Sequence, residues 1–156
     1  MTVEKDQFEV VRTGDVPAPA HAVFDRVADF HRWSEWSPWE GLDPEMERTF
    51  SGAPSGVGAV YEWKGNRKAG QGRMEITRAD APSLVQLTLH FLKPFKSTNT
   101  TTFTLEPSGT GTKVTWRMVG PKTFFTRLMG IFTSMDKMVG PDFEKGLTQL
   151  AEAART

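Results

Sequence analysis

The segment "PAHAVFDRVADFHRWSEWSPW", residues 19–39, decides the fold. Proline is tolerated in a first helical turn, where its missing N–H has no partner, so this segment predicts a helix over residues 19–29. The following "HRWSEW" predicts a second short helix that ends before Pro38, because the residue ahead of a proline is disfavoured in the α region. The apolar face of the first helix consists of Val23, Phe24, Val27 and Phe30.

Three of the five tryptophans of the chain fall within this segment. Trp33 and Trp36 stand at i and i+3, so they are neighbours on one side of a helical turn. Each can bury about 150–250 Å² and so anchor a helix too short to be stable alone. We expect both to pack the second helix against the end of a sheet. Trp39 follows the proline and is expected to begin a loop near the mouth of a cavity.

The segments on either side of these helices have the period of two that is typical of strands. The stretch 8–16 precedes the helices and is rich in β-formers, and six alternating stretches follow from Glu45 onward. This alternation predicts an antiparallel sheet with one apolar and one wet face. The six later strands are expected near residues 46–50, 58–65, 72–80, 84–91, 99–107 and 112–120.

The last third of the chain has an apolar residue at every third or fourth position. This stripe predicts a long amphipathic helix, the only element long enough to cover the apolar face of the sheet. Pro141 lacks an N–H and crowds the carbonyl four residues earlier, so it is expected either to kink this helix or to start a new one. The stripe consists of Leu128, Phe132, Met135, Val139, Phe143, Leu147, Leu150 and Ala154.

Composition limits the classes of function. The 156 residues suit a single domain over 1–156. The absence of cysteine excludes thiolate catalysis and sulfur-rich metal sites. Equal numbers of basic and acidic residues, 19 each, argue against a nucleic-acid binder. The chain shows neither an apolar leader nor a run of about 20 apolar residues, so we expect no membrane span and a cytoplasmic location.

The order of strand, two helices, six strands and one long helix resembles the START-like, or SRPBCC, superfamily. The resemblance rests on residues 19–39, on "GVGAVYEWKGN" (56–66) and on "MDKMVGPDFEKGLTQL" (135–150). Within the superfamily the chain is similar to the bacterial polyketide cyclase/dehydrase-type group. The resemblance implies an α+β helix-grip fold, in which a curved antiparallel sheet of about seven strands wraps around the C-terminal helix. It brings no catalytic motif, and the group includes carriers, sensors and cyclases.

The inner face of the predicted sheet is rich in rings and methionine, as a pocket for a small apolar molecule would be. Asn99 and Thr101 would offer polar handles there, and methionines on the last helix an adaptable wall. The three histidines are far apart, so we expect no metal, and no cofactor. The predicted ligand-binding residues are Trp39, Tyr61, Trp63, Met74, Leu89, Phe91, Asn99, Thr101, Phe103, Trp116, Met129 and Phe132.

Two functions fit this inner face. The first is a carrier or sensor of a hydrophobic, aromatic or lipid-like molecule, and the second is a cyclase or dehydratase of polyketide-like substrates. An enzyme should place ionisable groups with perturbed pKa in its cavity, and the alternation offers only Tyr61, Arg48 and Asp136. This scarcity favours binding. Recruitment of a protein partner by the outer face is a third alternative, and the oligomeric state, monomer or homodimer, stays open.

Overall fold

The computed structural model of the chain describes residues 7–39, 43–66, 69–93, 96–121 and 135–154. The helices are α1 (Ala20–Val27), a 3₁₀ helix (Phe30–Glu35) and α2 (Met135–Ala154). The strands are β1 (Gln7–Val16), β2 (Glu47–Gly52), β3 (Ala59–Lys64), β4 (Gln71–Asp80), β5 (Leu84–Lys93), β6 (Ser97–Ser108) and β7 (Gly111–Pro121).

The strands form one antiparallel sheet in the order β1-β7-β6-β5-β4-β3-β2. Consecutive strands from β2 to β7 are neighbours, whereas β1 pairs with β7. Strands β1 and β2 are therefore the two edges of the sheet, and the two short helices lie between them along the chain. The β6–β7 hairpin closes with Ser108 opposite Gly111. Gly109 has a φ of 61° in that turn, a conformation that glycine adopts without steric cost. The predicted α+β class and strand count are confirmed.

Helix α2 covers the inner face of the sheet with the part of the predicted apolar stripe that the structure describes; Leu128, Phe132 and the side chain of Met135 lie outside the described residues. Phe143, Leu147 and Leu150 are buried, and α2 packs most extensively against β1. The helix continues through Pro141, so the alternative of a new helix start at that residue is wrong. Pro141 is exposed, and the missing donor costs one hydrogen bond in a 20-residue helix whose apolar stripe is packed. No helix among the described residues is long and apolar enough to cross a membrane.

Trp33 in the 3₁₀ helix and Trp36, which directly follows it, attach this helix to α1 as well as to the sheet. Trp33 and Trp36 are 4% and 1% exposed. The Trp33 Nε1–H donates to the carbonyl of Val27 at 2.9 Å, and the Trp36 Nε1–H donates to that of Arg26 at 3.1 Å. Buried indoles normally find such a partner. The rings of Trp33 and Trp36 also lie 5.9 and 5.8 Å from that of Phe103 on β6, so the expectation that both pack the second helix against the sheet is confirmed.

Candidate functional site

A cavity of about 240 Å³ lies on the inner face of the sheet, next to the N-terminal half of α2. Strands β3, β4, β5 and β7 form its floor, and the 3₁₀ helix and the residues after it form one wall. Its described lining consists of Trp33, Ser37, Trp39, Met46, Tyr61, Trp63, Ala69, Gly70, Met74, Leu89, Phe91, Lys93, Met118 and Val139.

The strand register explains why the inner-face residues meet at the cavity floor. Tyr61 lies opposite Met74, which lies opposite Leu89, so one inward row crosses three strands. In the next row, Gly72 stands between Trp63 on β3 and Phe91 on β5. The local alternation predicted from sequence therefore brings five predicted residues together.

Gly72 makes room for the indole of Trp63. A Cβ at position 72 would lie 2.4 Å from the Cη2 atom of Trp63, closer than real Cβ contacts allow. The Trp63 Nε1–H donates to the carbonyl of Ala69 at 2.9 Å, and its ring meets that of Phe91 edge-on at 5.9 Å. Both rings are only half-buried. The two rings therefore present fixed apolar surface that a ligand could cover.

Trp39 contributes a further ring from the loop after Pro38. Its indole is half-buried and packs edge-on against Trp116 at 5.7 Å and against Phe143 at 6.1 Å. It lines the cavity, as the predicted position near the mouth required. Six predicted residues thus line the cavity: Trp39, Tyr61, Trp63, Met74, Leu89 and Phe91.

Phe103 and Trp116 point inward as predicted, but they do not line the cavity. Trp116 stacks on Phe143 of α2 with ring centroids 4.1 Å apart, and Phe103 packs on Trp116 at 4.9 Å. Both are at most 2% exposed. Phe143 of α2 covers Trp116, and the rings of Trp33 and Trp36 cover Phe103, so Phe103 and Trp116 belong to the core instead.

Asn99 and Thr101 also point inward and also lie outside the cavity lining. Each is 3% exposed. Asn99 Oδ1 accepts a hydrogen bond from the Ser97 hydroxyl at 3.3 Å, whereas the Thr101 hydroxyl has no partner among the described residues. On the neighbouring strands, Asn99 is paired with Leu89 and Thr101 with Met118, and both of these partners line the cavity. The predicted polar handles are therefore neighbours of the cavity rather than part of its described wall.

The remaining predicted residues, Met129 and Phe132, lie outside the described residues, as does the side chain of Asp136. Arg48 is exposed on β2 and does not reach the cavity. Among the described residues, no three His, Asp or Glu side chains come together as a metal site would require. The site is thus characterised by its apolar surface rather than by ionisable groups.

Several lining residues were missed by reasoning from sequence. Ser37, Ala69 and Gly70 lie in connections, where alternation gives no information. Lys93 lies beyond a shift of the strand register on β5, which alternation in the sequence does not predict. The other lining residues that the prediction omitted are Trp33, Met46, Met118 and Val139.

The family model for polyketide cyclase/dehydrase and lipid transport matches residues 7–155. The chain belongs to this family. The match includes both short helices, all seven strands and α2, so it covers every element that builds the cavity. No curated protein sequence matches the chain significantly.

Solved structures of the same fold come from distant relatives. A protein from Staphylococcus epidermidis is 20% identical with a TM-score of 0.67, over 99% of this chain and 94% of that one. The crystal structure of Ara h 8.0201 is 15% identical with a TM-score of 0.61, over 95% of this chain and 94% of that one. DynU16, a protein of the dynemicin biosynthetic locus, is 19% identical with a TM-score of 0.65, over 98% of this chain and 48% of DynU16. These likenesses establish the helix-grip fold that the resemblance implied.

Proposed function

We propose that this protein binds a small apolar molecule, at least partly aromatic, in the cavity between the sheet and α2, as a carrier or sensor. The observation that carries the proposal is the described part of the lining, in which five aromatic rings and three methionines surround a cavity of about 240 Å³. Pockets for small molecules are mostly apolar with a few polar groups that fix orientation. Membership of a family that includes lipid transport supports the same reading.

The volume supports a small ligand. Pockets for drug-sized molecules span about 300–1,000 Å³, so a cavity of about 240 Å³ suits a body of one or two fused rings. The half-buried rings of Trp39, Trp63 and Phe91 would lose their remaining contact with water when such a body enters. Burial of apolar area contributes about 25 cal/mol per Å² before the cost of association is subtracted.

The polar side chains of the described lining suit orientation better than proton transfer. Apart from indole N–H groups, they are the hydroxyls of Ser37 and Tyr61 and the ammonium group of Lys93. A phenol with an ordinary pKa near 10 is a poor base at neutral pH, and a serine needs an adjacent base to act as a nucleophile. These groups support binding over cyclisation as the role of the cavity.

The proposal is tested with Leu89→Trp, which places an indole where Leu89 now lines the cavity floor. Binding of 2-naphthol to the wild type is measured by calorimetry, and native mass spectrometry of the purified protein looks for a retained small molecule. We expect saturable binding to the wild type and at least a tenfold loss in Leu89→Trp, because the added ring fills the cavity.

Leu92→Trp is the matched control, since Leu92 is 42% exposed on the same strand. This variant should bind 2-naphthol as the wild type does. Equal binding by both variants would place the ligand elsewhere on the molecule. Turnover of a polyketide-like substrate that Tyr61→Phe abolishes would favour the enzymatic alternative.

A further inference from the structure

Lys93 is the only charged side chain in the described lining of the cavity. It stands on β5 two residues after Phe91, beyond a shift of the strand register that pairs it with Gln71 on β4. Lys93 is exposed, whereas the rings of the floor are buried or half-buried, so this residue lies at the edge of the cavity. Lys93 therefore contributes a positive charge to the edge of an otherwise apolar cavity.

Among the described residues, Lys93 has no ion-pair or side-chain hydrogen-bond partner. The register places Gln71, an uncharged residue, opposite Lys93 on β4. The Lys93 charge is thus open to a ligand.

We infer that the ligand is an aromatic acid, whose ring body occupies the cavity and whose carboxylate lies at the rim beside Lys93. This inference rests on the proposed function and specifies the chemical class of its ligand. Rings match the aromatic floor, and an anion matches the one cation in the described lining. The carboxylate keeps contact with water at the rim, so the large cost of burying a charge is avoided.

The contribution of Lys93 should be modest and sensitive to salt. Ion pairs at exposed positions are weak, which corresponds to a preference of about two- to fivefold in dissociation constant. At 1 M salt the Debye length falls to about 3 Å, so most of this preference should disappear. The apolar part of the affinity should persist at high salt.

The test compares 2-naphthoate with 2-naphthamide, which have nearly the same shape and differ in charge. Calorimetry measures both dissociation constants for the wild type, Lys93→Gln, Lys93→Glu and the control Lys96→Gln. Lys96 is exposed three residues further along and is not part of the lining. Equal denaturation midpoints establish that each variant is folded.

We expect the wild type and Lys96→Gln to prefer the carboxylate by two- to fivefold. Lys93→Gln should lose the preference while its affinity for the amide stays within twofold, and Lys93→Glu should prefer the amide. Equal wild-type affinity for the two compounds, or a preference that persists in Lys93→Gln, overturns the inference and leaves the proposed function intact. Failure of the wild type to bind either compound contradicts both.

Discussion

At the scale of single residues, Trp36 packs against three other rings directly after the 3₁₀ helix. Its indole meets Trp33 at 4.6 Å, Trp116 at 5.6 Å and Phe103 at 5.8 Å. It therefore joins the short helices to the rings beneath α2. Its Nε1–H satisfies a carbonyl at the end of α1.

Trp36→Ala should lower the free energy of unfolding by about 3–5 kcal/mol, the usual range for a large aromatic truncated in a core. The measurement is a denaturant titration. Trp63→Ala serves as the comparison, because Trp63 is half-buried beside the cavity and its loss enlarges an existing space. We expect less than half the effect there. A midpoint for Trp36→Ala equal to that of the wild type would contradict its role as an anchor.

Individual residues also show how much of the site could be predicted from the sequence. Alternation assigns a side chain to a face, and it assigned Tyr61, Trp63, Phe103 and Trp116 to the inner face correctly. It does not say which part of that face the helix will fill. Phe103 and Trp116 share the phase of the lining residues, yet they are core, because Phe143 stacks on Trp116 and the rings of Trp33 and Trp36 pack against Phe103.

At the scale of elements, the fold was predictable because each segment has a clear period. The position of α2 across the sheet was not, since strand order and helix placement depend on contacts between distant segments. Helix α2 packs chiefly over β1, at one edge of the sheet. The space that it leaves over β3, β4 and β5 is the cavity, and a single sequence holds no local signal for this asymmetry.

Gly146 allows α2 to approach the sheet closely. A Cβ there would lie 2.7 Å from Cζ3 of Trp116 and 2.9 Å from Cδ of Pro38. In an open helix, Gly→Ala stabilises by about 1 kcal/mol. Here the added methyl group must displace a stacked ring and a proline ring, and overpacking of that kind costs about 1–3 kcal/mol.

We therefore expect Gly146→Ala to be destabilising by up to about 2 kcal/mol, the overpacking cost less the gain in helix propensity. Chemical denaturation followed by circular dichroism gives the value. Lys145→Ala, an exposed change in the same turn of α2, should stay within about 0.5 kcal/mol of the wild type. A variant Gly146→Ala more stable than the wild type would mean that α2 can move away from the sheet at little cost.

At the scale of the whole molecule, several residues that line the cavity also belong to the hydrophobic core or pack against it. Trp39 lines the cavity and also packs on Trp116 and Phe143, the stacked pair that joins α2 to the sheet. Tyr61 is buried at the cavity floor and its ring lies 5.9 Å from that of Phe30 in the 3₁₀ helix. A ligand that packs on these rings adds contacts across the sheet, the short helices and α2 together, so its binding should stabilise global folding.

The expected size of this stabilisation follows from mass action. A ligand that binds only the native state contributes RT ln(1 + [L]/Kd), about 2.7 kcal/mol at a concentration of 100 Kd. For a domain of this length each kcal/mol raises Tm by about 2–4 °C, so 2-naphthoate at 100 Kd should raise Tm by about 5–10 °C. Differential scanning calorimetry measures the shift, and Leu92→Trp should reproduce it. Leu89→Trp should show almost none, because its cavity is filled while the rest of the core is intact. A shift of the same size in Leu89→Trp would place the stabilising site outside the cavity, since only the space beside Leu89 differs between the two proteins.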